Sequence, residues 1–362
     1  MSGICRFLHD NKITSETMIA VSSLRSGIVT SAKKDGTGSA VLTTSGSYSG
    51  STDLEYIVEI DSIAGGAEVG QATFRWSDGG GTWDASAVTT PAVATELNNG
   101  AKIAFTTGSG ADFVVGDRWY FKGVNLYNPG KMIDMDRDHR YRSAALGAPN
   151  TATITLAAEA EIDALVLYDH NLTSGATIHL YGDDAATFDT DGGSPQVDET
   201  ITWAAGKILH YLATADRTKK YWQLQITDAA NPDVFVEIGE IYLGGYAELS
   251  RNYRPGFSKP LSLLFDFGST PYGIKKKRFY NKQRSFSYAF NGLVAADITK
   301  LEAILDAIAD RSTGELKPFY WNDDSADTSK FWMVELDGIP ESHMPLDYYE
   351  TTLEMTEVMA SV

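Results

Sequence analysis

Residue types that carry catalysis are scattered along this chain and form no recognised motif. The six histidines are His9, His139, His170, His179, His210 and His343. None belongs to an HExxH motif or to another helix-spaced metal pair, and there is no G-x-S-x-G turn, Walker loop or helix-opening G-x-G-x-x-G. We therefore expect no enzymatic activity, no cofactor and no metal centre. One alternative stays open, a glycosidase carboxylate pair that meets only in space.

An acidic loop is the strongest candidate for binding a cation. The sequence YGDDAATFDTDGG places Asp183, Asp184, Asp189 and Asp191 close together. Carboxylate and carbonyl oxygens are the ligands that Ca²⁺ prefers, but this spacing does not match the EF-hand loop. We interpret the loop as a solvated turn, with a calcium site as the alternative.

Three tryptophans present a similar choice between binding and packing. Trp76, Trp83 and Trp119 lie in a Gly/Ser/Thr-rich region with few other large side chains. Exposed indole rings would form a platform for a carbohydrate. Large aromatic side chains more often fill the core of a small β-domain, because each of them buries a large apolar area. We favour the core interpretation and keep the platform as the alternative.

Composition limits the classes of partner. The chain has 362 residues, 43% of them hydrophobic and 22% charged, which is typical of a globular protein with two or three domains. A net charge of −18 argues against nucleic acid or an anionic membrane surface as the main partner. The basic cluster at 275–278 (KKKR) is interpreted as the solvated start of a strand.

The single cysteine and the N-terminal residues indicate where the chain folds. Cys5 has no second cysteine with which to form a disulfide within the chain. The first residues lack the apolar core of a signal peptide, and no apolar run approaches membrane-spanning length. We expect folding in the reducing cytoplasm of a bacterial host.

The elements that must position these residues are mostly short β-strands. Apolar or alternating runs at 162–168, 176–181, 221–227 and 234–244 are separated by turns rich in Gly, Asn and Asp. In the last two runs, one face carries Trp222, Leu224, Ile226, Val234, Val236, Ile238, Ile241 and Leu243, with a kink expected at Gly239. This pattern predicts an antiparallel β-sandwich or jelly roll.

The region from Asn125 to Leu180 resembles galactose-binding-like (discoidin-like) jelly rolls. Its loop reads Asp138, His139, Arg140, Tyr141, Arg142, Ser143, with Tyr141 where that family usually has Trp. The phrase IDALVLYDHNLTSGATIHLYGD is similar to copies of the domain in phage minor tail proteins. The resemblance implies that the Asp/Arg loop braces the sandwich. The alternative is that the loop lines a glycan site.

The residue pattern of the N-terminal third is typical of a separate β-module. Alternating faces at Tyr56, Val58 and Ile60 and at Ala72, Phe74 and Trp76 predict two strands. The turn at 78–81, which follows the second strand, supplies the positive-φ positions that a hairpin needs. Further strands are expected at 102–106 and 117–121. Since 13–24 resembles the first strand of the jelly roll, we expect residues 28–123 to be inserted into a discontinuous jelly roll formed by 1–27 and 124–248.

Residues 249–362 are predicted to form a third unit with one helix. Strands are expected at 261–267, 284–290, 331–336 and 348–355. The helix is predicted at 297–310 with Asp297 as its N-cap and Gly314 near its stop. Its apolar stripe contains Ile298, Leu301, Ile304, Leu305 and Ile308. The element order and the PFYW phrase resemble the tail-tube-like β-barrel of phage distal tail and minor tail proteins, which implies a ring of six or three copies.

Two functions from different classes follow from these resemblances. The first is a structural component of a tailed-phage virion, in the tail tip or baseplate, forming a ring that joins the tail tube to host-recognition proteins. Its expected partners are copies of itself, the tail tube, the hub and the tape measure. The alternative is a glycan-binding or glycan-cleaving receptor protein of the tail, whose partner is a host surface glycan.

Overall fold

Strands dominate the chain, as the sequence predicts. The computed structural model describes residues 3–79, 81–146, 149–269, 275–310, 314–336, 341–344 and 348–359. Strands account for 47% of residues and helices for 7%, and the sheets are antiparallel. The mainly β fold class with β-sandwich architecture is confirmed. No helix among the described residues is long and apolar enough to cross a membrane.

Two sheets built from consecutive strands occupy the first third of the chain. The opening strands are β1 (Arg6–Asn11) and β2 (Ile19–Val21), separated by a 3-10 turn at Glu16–Met18. The next strands are β3 (Gly27–Val29), β4 (Lys33–Asp35), β5 (Val41–Ser45), β6 (Ser47–Tyr48), β7 (Leu54–Ser62), β8 (Thr73–Ser77), β9 (Ala85–Thr89), β10 (Thr95–Glu96), β11 (Lys102–Thr106) and β12 (Arg118–Val124). Their sheet orders are β6-β3-β12-β7-β8-β9, with β4 on β12, and β10-β11-β5.

The strands β3 to β12 enclose their own core. Tyr56, Val58 and Ile60 on β7 are fully buried, as their alternation predicts, and the Tyr56 ring stacks on Phe121 with centroids 4.9 Å apart. The chain enters and leaves this unit at one place, because β3 pairs with the end of β12. The Asn125 side-chain amide also donates to the Arg25 carbonyl oxygen, at 3.0 Å. This arrangement supports the insertion of 28–123, which stays a prediction.

The next segment packs two sheets face to face. Its elements are a 3-10 turn at Pro129–Met132, β13 (Tyr141–Arg142), β14 (Asn150–Glu161), β15 (Ala164–Tyr168), β16 (Thr177–Asp183), β17 (Val197–Ile201), β18 (Lys207–Tyr211), β19 (Thr218–Thr227), β20 (Glu237–Ile238) and β21 (Glu240–Ala247). One sheet has the order β17-β16-β19-β14-β2, and the other contains β18-β15-β21-β1. The core between them includes Ile154, Leu167, Trp222 and Leu243. The early strand β2 therefore belongs with the jelly roll, beside β14.

The last segment contains the predicted helix. Its elements are β22 (Leu261–Ser269), β23 (Lys275–Leu293), α1 (Ala295–Ile308), β24 (Ala309–Asp310), β25 (Glu315–Leu316), β26 (Phe319–Asn322), β27 (Phe331–Leu336), β28 (Glu341–Met344) and β29 (Tyr348–Glu357). The apolar stripe of α1 packs on the core of this segment, as predicted: Leu301, Ile304 and Ile308 are buried, and Ile298 and Leu305 are partly buried. The basic cluster at 275–278 opens β23, which confirms the predicted strand start.

Two details of the prediction are wrong. Asp297 is not the N-cap of α1, because the helix starts two residues earlier and Val294 occupies that position. The Asp297 carboxylate lies in the first turn, where it accepts hydrogen bonds from the backbone N–H groups of Val294 and Ser250 at 3.1 and 2.8 Å. Val234 does not share the buried face of Val236, because it lies in a bend before β20, with a φ of +57°, and is 67% exposed. The kink at Gly239 is confirmed as the break between β20 and β21.

A single sheet connects the jelly roll to the C-terminal segment. Its order is β18-β15-β21-β1-β26-β27-β29-β23-β22, with β28 on β29. The N-terminal strand β1 provides the connection, because it pairs with β21 on one edge and β26 on the other. A shared core lies under this joint and contains Leu8, Tyr168, Tyr242, Tyr320 and Phe331.

Candidate functional site

A pocket lies at the loop that the sequence singles out. Its volume is about 450 Å³. The lining residues are Leu126, Tyr127, Arg137, Asp138, His139, Arg140, Arg142 and Glu237. The loop runs from the 3-10 turn at Pro129–Met132 to β13, and the opposite wall is provided by β20, which pairs with β13. We call this cavity the arginine pocket.

A single carboxylate fixes two of the arginines. Glu237 is 7% exposed, and its Oε1 accepts a hydrogen bond from Arg140 Nη1 at 3.0 Å. Its Oε2 accepts bonds from Arg142 Nε at 2.9 Å and from Arg142 Nη2. The Arg142 guanidinium also lies over the rings of Phe235 and Tyr127, at 4.3 and 4.7 Å from their centroids. A planar group held by ion pairs and ring faces retains little rotational freedom, so the Arg142 guanidinium is preorganised. Arg140 is held by one bond and is more exposed.

The third arginine connects the pocket to the C-terminal segment. Arg137 makes a bidentate ion pair with Asp169, at 2.6 Å from Nε and 2.8 Å from Nη2. Its Nη1 donates to the Val358 carbonyl oxygen at 2.7 Å. Burial alone would lower the pKa of Arg137, but the hydrogen bond and charge of Asp169 outweigh it and raise that pKa. This guanidinium is therefore held in place from two parts of the fold.

Hydrogen bonds hold the loop that lines the arginine pocket. Asp136 accepts hydrogen bonds from the Asp138 backbone N–H at 2.9 Å and pairs with His139 Nδ1 at 2.8 Å. The Asp138 N–H bond is the largest cause that lowers the pKa of Asp136. Tyr141 is buried, and its hydroxyl donates to the Ser23 carbonyl oxygen. From the sequence, bracing the sandwich and lining a pocket were alternatives for this loop. In the structure, neighbouring residues of the loop do each: Tyr141 braces it, and His139 and Arg140 line the pocket.

The acidic loop is closed by hydrogen bonds within itself. Asp183 is fully buried and accepts bonds from the backbone N–H groups of Ala185 and Thr190, at 3.0 and 3.3 Å, and from the Thr190 hydroxyl. Burial would raise the pKa of Asp183, yet these bonds lower it. The described residues contain no group of three His, Cys, Asp or Glu side chains that could hold a metal ion. Asp184, Asp189 and Asp191 are exposed, as a solvated turn predicts, whereas Asp183 is not solvated.

The three tryptophans do not form a common surface. Trp76 and Trp119 are buried in the core of β3 to β12, which confirms the core interpretation for both. For Trp83 that interpretation is wrong, because it is 38% exposed and lies under the Arg75 guanidinium, 4.3 Å from its ring centroid. Because two of the three rings are buried, the tryptophans do not form the shared platform that the alternative predicted.

The described histidines make separate, local contacts. His170 is buried, which lowers its pKa, and its Nδ1 accepts from the Leu172 backbone N–H at 3.2 Å. His179 lies 3.2 Å from Asp198, and His210 lies 3.4 Å from Glu199. The side chain of His343 lies outside the described residues. Apart from His139, none of the described histidines lines the arginine pocket.

Sequence reasoning missed Glu237, Arg137 and Tyr127 as members of this site. Glu237 is about a hundred residues from the arginines that it holds, and it lies in a strand whose neighbours are apolar. A charged residue within an apolar strand is a usable signal, because a buried carboxylate needs a partner. Nothing in the sequence indicates which cation that partner is.

Comparisons with known proteins find likenesses in solved structures. A Ruminococcus gnavus GH29 fucosidase matches 35% of this chain at 16% identity with a TM-score of 0.27, and only 24% of the fucosidase chain is covered. A chitosan-binding module from a Paenibacillus chitosanase/glucanase matches 33% of this chain at 19% identity, with 86% of the module covered and a TM-score of 0.27.

A Streptococcus pneumoniae fucose-binding module matches 33% of this chain at 8% identity, with 82% of the module covered and a TM-score of 0.25. No protein-family model matches the chain, and neither does any curated protein. The binding properties in these names are those of the matched proteins.

Proposed function

We propose that the chain binds glycans through the arginine pocket. The observation that carries this proposal is the pair of guanidinium groups that Glu237 holds side by side at the pocket wall. Each guanidinium has five N–H groups, and Glu237 accepts from one on Arg140 and from two on Arg142, so further donors face a sugar hydroxyl. The Asp138 carboxylate in the lining is an acceptor. The volume of about 450 Å³ lies within the range typical of small-ligand sites.

The aromatic side chain in the same wall adds to this match. Tyr127 lines the pocket, and its ring is held by the guanidinium groups of Arg142 and Arg25, at 4.7 and 5.3 Å from its centroid. Sugars combine polar hydroxyls with apolar C–H faces, so a site with an aromatic ring beside fixed donors and acceptors suits them.

A glycan array probed with the full chain tests this proposal. Calorimetry then measures the affinity of each bound glycan for the natural chain and for an Arg140→Ala variant. This substitution removes the more exposed of the two arginines that Glu237 holds. We expect at least a tenfold loss of affinity, about 1.4 kcal/mol. The matched control is Arg118→Ala, an exposed ion-paired arginine on β12. No binding on the array, or equal affinity in the Arg140→Ala variant, would refute glycan recognition at this pocket.

A second candidate is the structural role in a phage tail tip, for which the continuous sheet is the specific support. The sheet through β1 joins the jelly roll and the C-terminal segment, as a component that transmits load between neighbours requires. Under this candidate the chain lies in the virion tail, as a ring with the tail tube, hub and tape measure as neighbours. Its presence and copy number in purified particles test it, and absence from particles would refute it.

We also propose that the chain has no enzymatic activity. The catalytic residue types are scattered in sequence, and the described histidines lie in separate surroundings. A reducing-sugar release assay on the glycans bound in the array tests this. Release that a single carboxylate substitution abolishes would show a glycan-cleaving protein instead.

A further inference from the structure

A two-stranded arm extends the end of the ten-stranded sheet. Strand β22 pairs with the first half of β23, from Leu261 opposite Arg284 to Ser269 opposite Lys275. Strand β29 pairs with β23 only from Ser285 onward. Among the described strands, none other than β22 pairs with residues 275–284, so this part of the ribbon has two open edges. We call residues 261–269 and 275–284 the β-arm.

A two-stranded ribbon that packs on nothing else has low stability in water. A two-stranded hairpin is marginally stable without a third strand or a packed face. Nine residues of strand span about 30 Å, and open edges of that length are templates for pairing with another chain. At the start of β22, Leu261 and Leu263 are 47% and 48% exposed. The arm therefore has both unpaired backbone and apolar surface to offer a partner.

The charge of the β-arm is opposite to that of the whole chain. Residues 261–284 contain the basic residues Lys275, Lys276, Lys277, Arg278, Lys282 and Arg284. Asp266 is the single acidic residue in that span, which gives it a net charge of +5 in a chain of −18. A strongly basic segment on an acidic protein favours contact with the acidic surface of another copy.

The jelly roll has an edge strand with acidic side chains near it. Strand β17 is an edge strand, since β16 is its only partner among the described strands. Asp198 lies on β17, and further exposed carboxylates lie on the loop between β16 and β17 and beside Lys219, namely Asp184, Asp189, Asp191 and Asp216. Lys219 pairs with Asp184 and Asp216, at 3.6 and 2.9 Å, which places these two together. We call β17 with these five aspartates the acidic edge.

We infer that the β-arm of one copy docks on the acidic edge of a second copy. The β-arm lies at the β22 end of the ten-stranded sheet, whereas β17 is the edge of the separate five-stranded sheet of the jelly roll, so the two surfaces are different parts of the chain. A contact between two different surfaces is heterologous, and such contacts build closed rings or open filaments. This inference does not depend on glycan binding.

Paired charge reversals in the full chain test this contact. The first variant carries Lys275→Glu, Lys276→Glu and Lys277→Glu, and the second carries Asp184→Lys, Asp189→Lys and Asp191→Lys. Self-association would be measured by sedimentation over a range of concentrations at low and high salt. We expect each variant alone to associate at least about tenfold more weakly than the natural chain, and added salt to weaken the natural chain.

Mixing the two variants is the decisive measurement. The reversed arm of the first variant then meets the reversed edge of the second, and the natural arm of the second meets the natural edge of the first. We expect the mixture to recover association that neither variant shows alone. Glu302→Lys, an exposed reversal on α1, is the control and should associate like the natural chain. Equal circular dichroism and melting temperature would show that all variants are folded.

Three results would overturn the inference. They are a natural chain that stays monomeric at low salt, reversed variants that associate normally, and a mixture that fails to recover association. A fourth concerns the occupant of the arm. Binding of heparin or an oligonucleotide is measured for the natural chain and for the first variant. If the natural chain binds the polyanion, the first variant does not, and the two chains self-associate equally, the β-arm binds a polyanion rather than a second copy.

Discussion

At the scale of single residues, Glu237 decides the geometry of the arginine pocket. It holds Arg140 and Arg142 together, while its own backbone N–H donates to the Asn171 side chain at 2.8 Å. Without this carboxylate, two partly buried guanidinium groups lack their main partner. The position of both donors, and hence any recognition by them, depends on this one side chain.

Replacing this carboxylate is the first prediction. Glu237→Ala should lower the free energy of unfolding by about 1–2 kcal/mol, since charged partners are left unsatisfied. Urea denaturation measures this, and the same variant should lose glycan binding in calorimetry. Glu159→Ala, an exposed carboxylate on β14, is the control and should change neither quantity. Unchanged stability in Glu237→Ala would contradict the role of this ion pair.

Glu240 gives the second prediction, which concerns pH. This carboxyl is buried, and burial, followed by the charge of Asp134 and a hydrogen bond with it, raises its pKa from 4.5 to about 9. The folded state favours the neutral acid, whereas the unfolded chain ionises it at the ordinary pKa. Stability should therefore be fully present below pH 4.5 and be lost as pH rises toward about 9.

Substitution of Glu240 isolates that effect. Glu240→Gln keeps the shape without the charge, so the difference in melting temperature between variant and natural chain should grow in favour of the variant between pH 5 and pH 9. Glu159→Gln is the exposed control. A constant difference across this range would show that Glu240 keeps its ordinary ionisation in the fold.

At the scale of elements, β1 is the strand on which the joint between the two cores depends. It pairs with β21 at Phe7 and Asn11 and with β26 at Phe7 and Leu8. Its closest approach to β21 is at Gly244, where an added Cβ would overlap the Asp10 carbonyl oxygen. At the next residue, Gly245, the nearest atom to such a Cβ is an Asp163 carboxylate oxygen at 3.3 Å.

Two adjacent glycines therefore give a matched test. Gly244→Ala forces the β1 backbone away from β21 and should cost about 1–3 kcal/mol, as overpacking in a filled interior does. Gly245→Ala faces a side chain that can move, and should cost less than about 1 kcal/mol. Urea denaturation of both variants measures the difference. Equal costs would mean that the β1–β21 joint tolerates separation.

At the scale of the whole molecule, the parts differ in how separable they are. Residues 28–123 have their own core and leave the jelly roll where β3 meets the end of β12. The C-terminal segment instead shares a sheet and a core with the jelly roll. Residues 28–123 are therefore attached to the jelly roll at one strand pair. The C-terminal segment is attached through a shared sheet and a shared core.

Deletion of the inserted module is the fourth prediction. Joining Ser26 to Asn125 through a short Gly/Ser linker should leave a soluble protein with a cooperative melt, because the core of the jelly roll lies elsewhere. Circular dichroism melting and analytical size exclusion measure this. Aggregation of the shortened chain, with no cooperative transition, would argue against an insertion.

Truncation near Tyr246 is the fifth prediction. Residues 249–362 are predicted from the sequence to be a third unit, yet their removal takes Tyr320 and Phe331 from the core shared with Leu8, Tyr168 and Tyr242. Large apolar surface exposed in this way favours aggregation. We therefore expect the truncated chain to be insoluble or to lose its cooperative melt. A soluble, cooperatively melting truncation would show that the jelly roll folds without its neighbour.

The sequence by itself determined the local elements and their buried faces. Trp222, Leu224 and Ile226 are buried on one face of β19, and Leu301, Ile304 and Ile308 are buried along α1, as their spacing predicts. Both patterns are local, because a strand repeats every two residues and a helix every 3.6 residues. The loop at 138–143 was also recognisable from its residues, although its partners were not.

Only the tertiary structure decided how these elements meet. The pairing of β1 with β26 joins residues more than 300 positions apart, and Glu237 reaches arginines nearly 100 positions away. Strand pairing is set by generic backbone hydrogen bonds, so a strand's sequence specifies its face but not its neighbour. For the same reason the arginine pocket, the shared core and the open β-arm became visible only when all the strands were placed together.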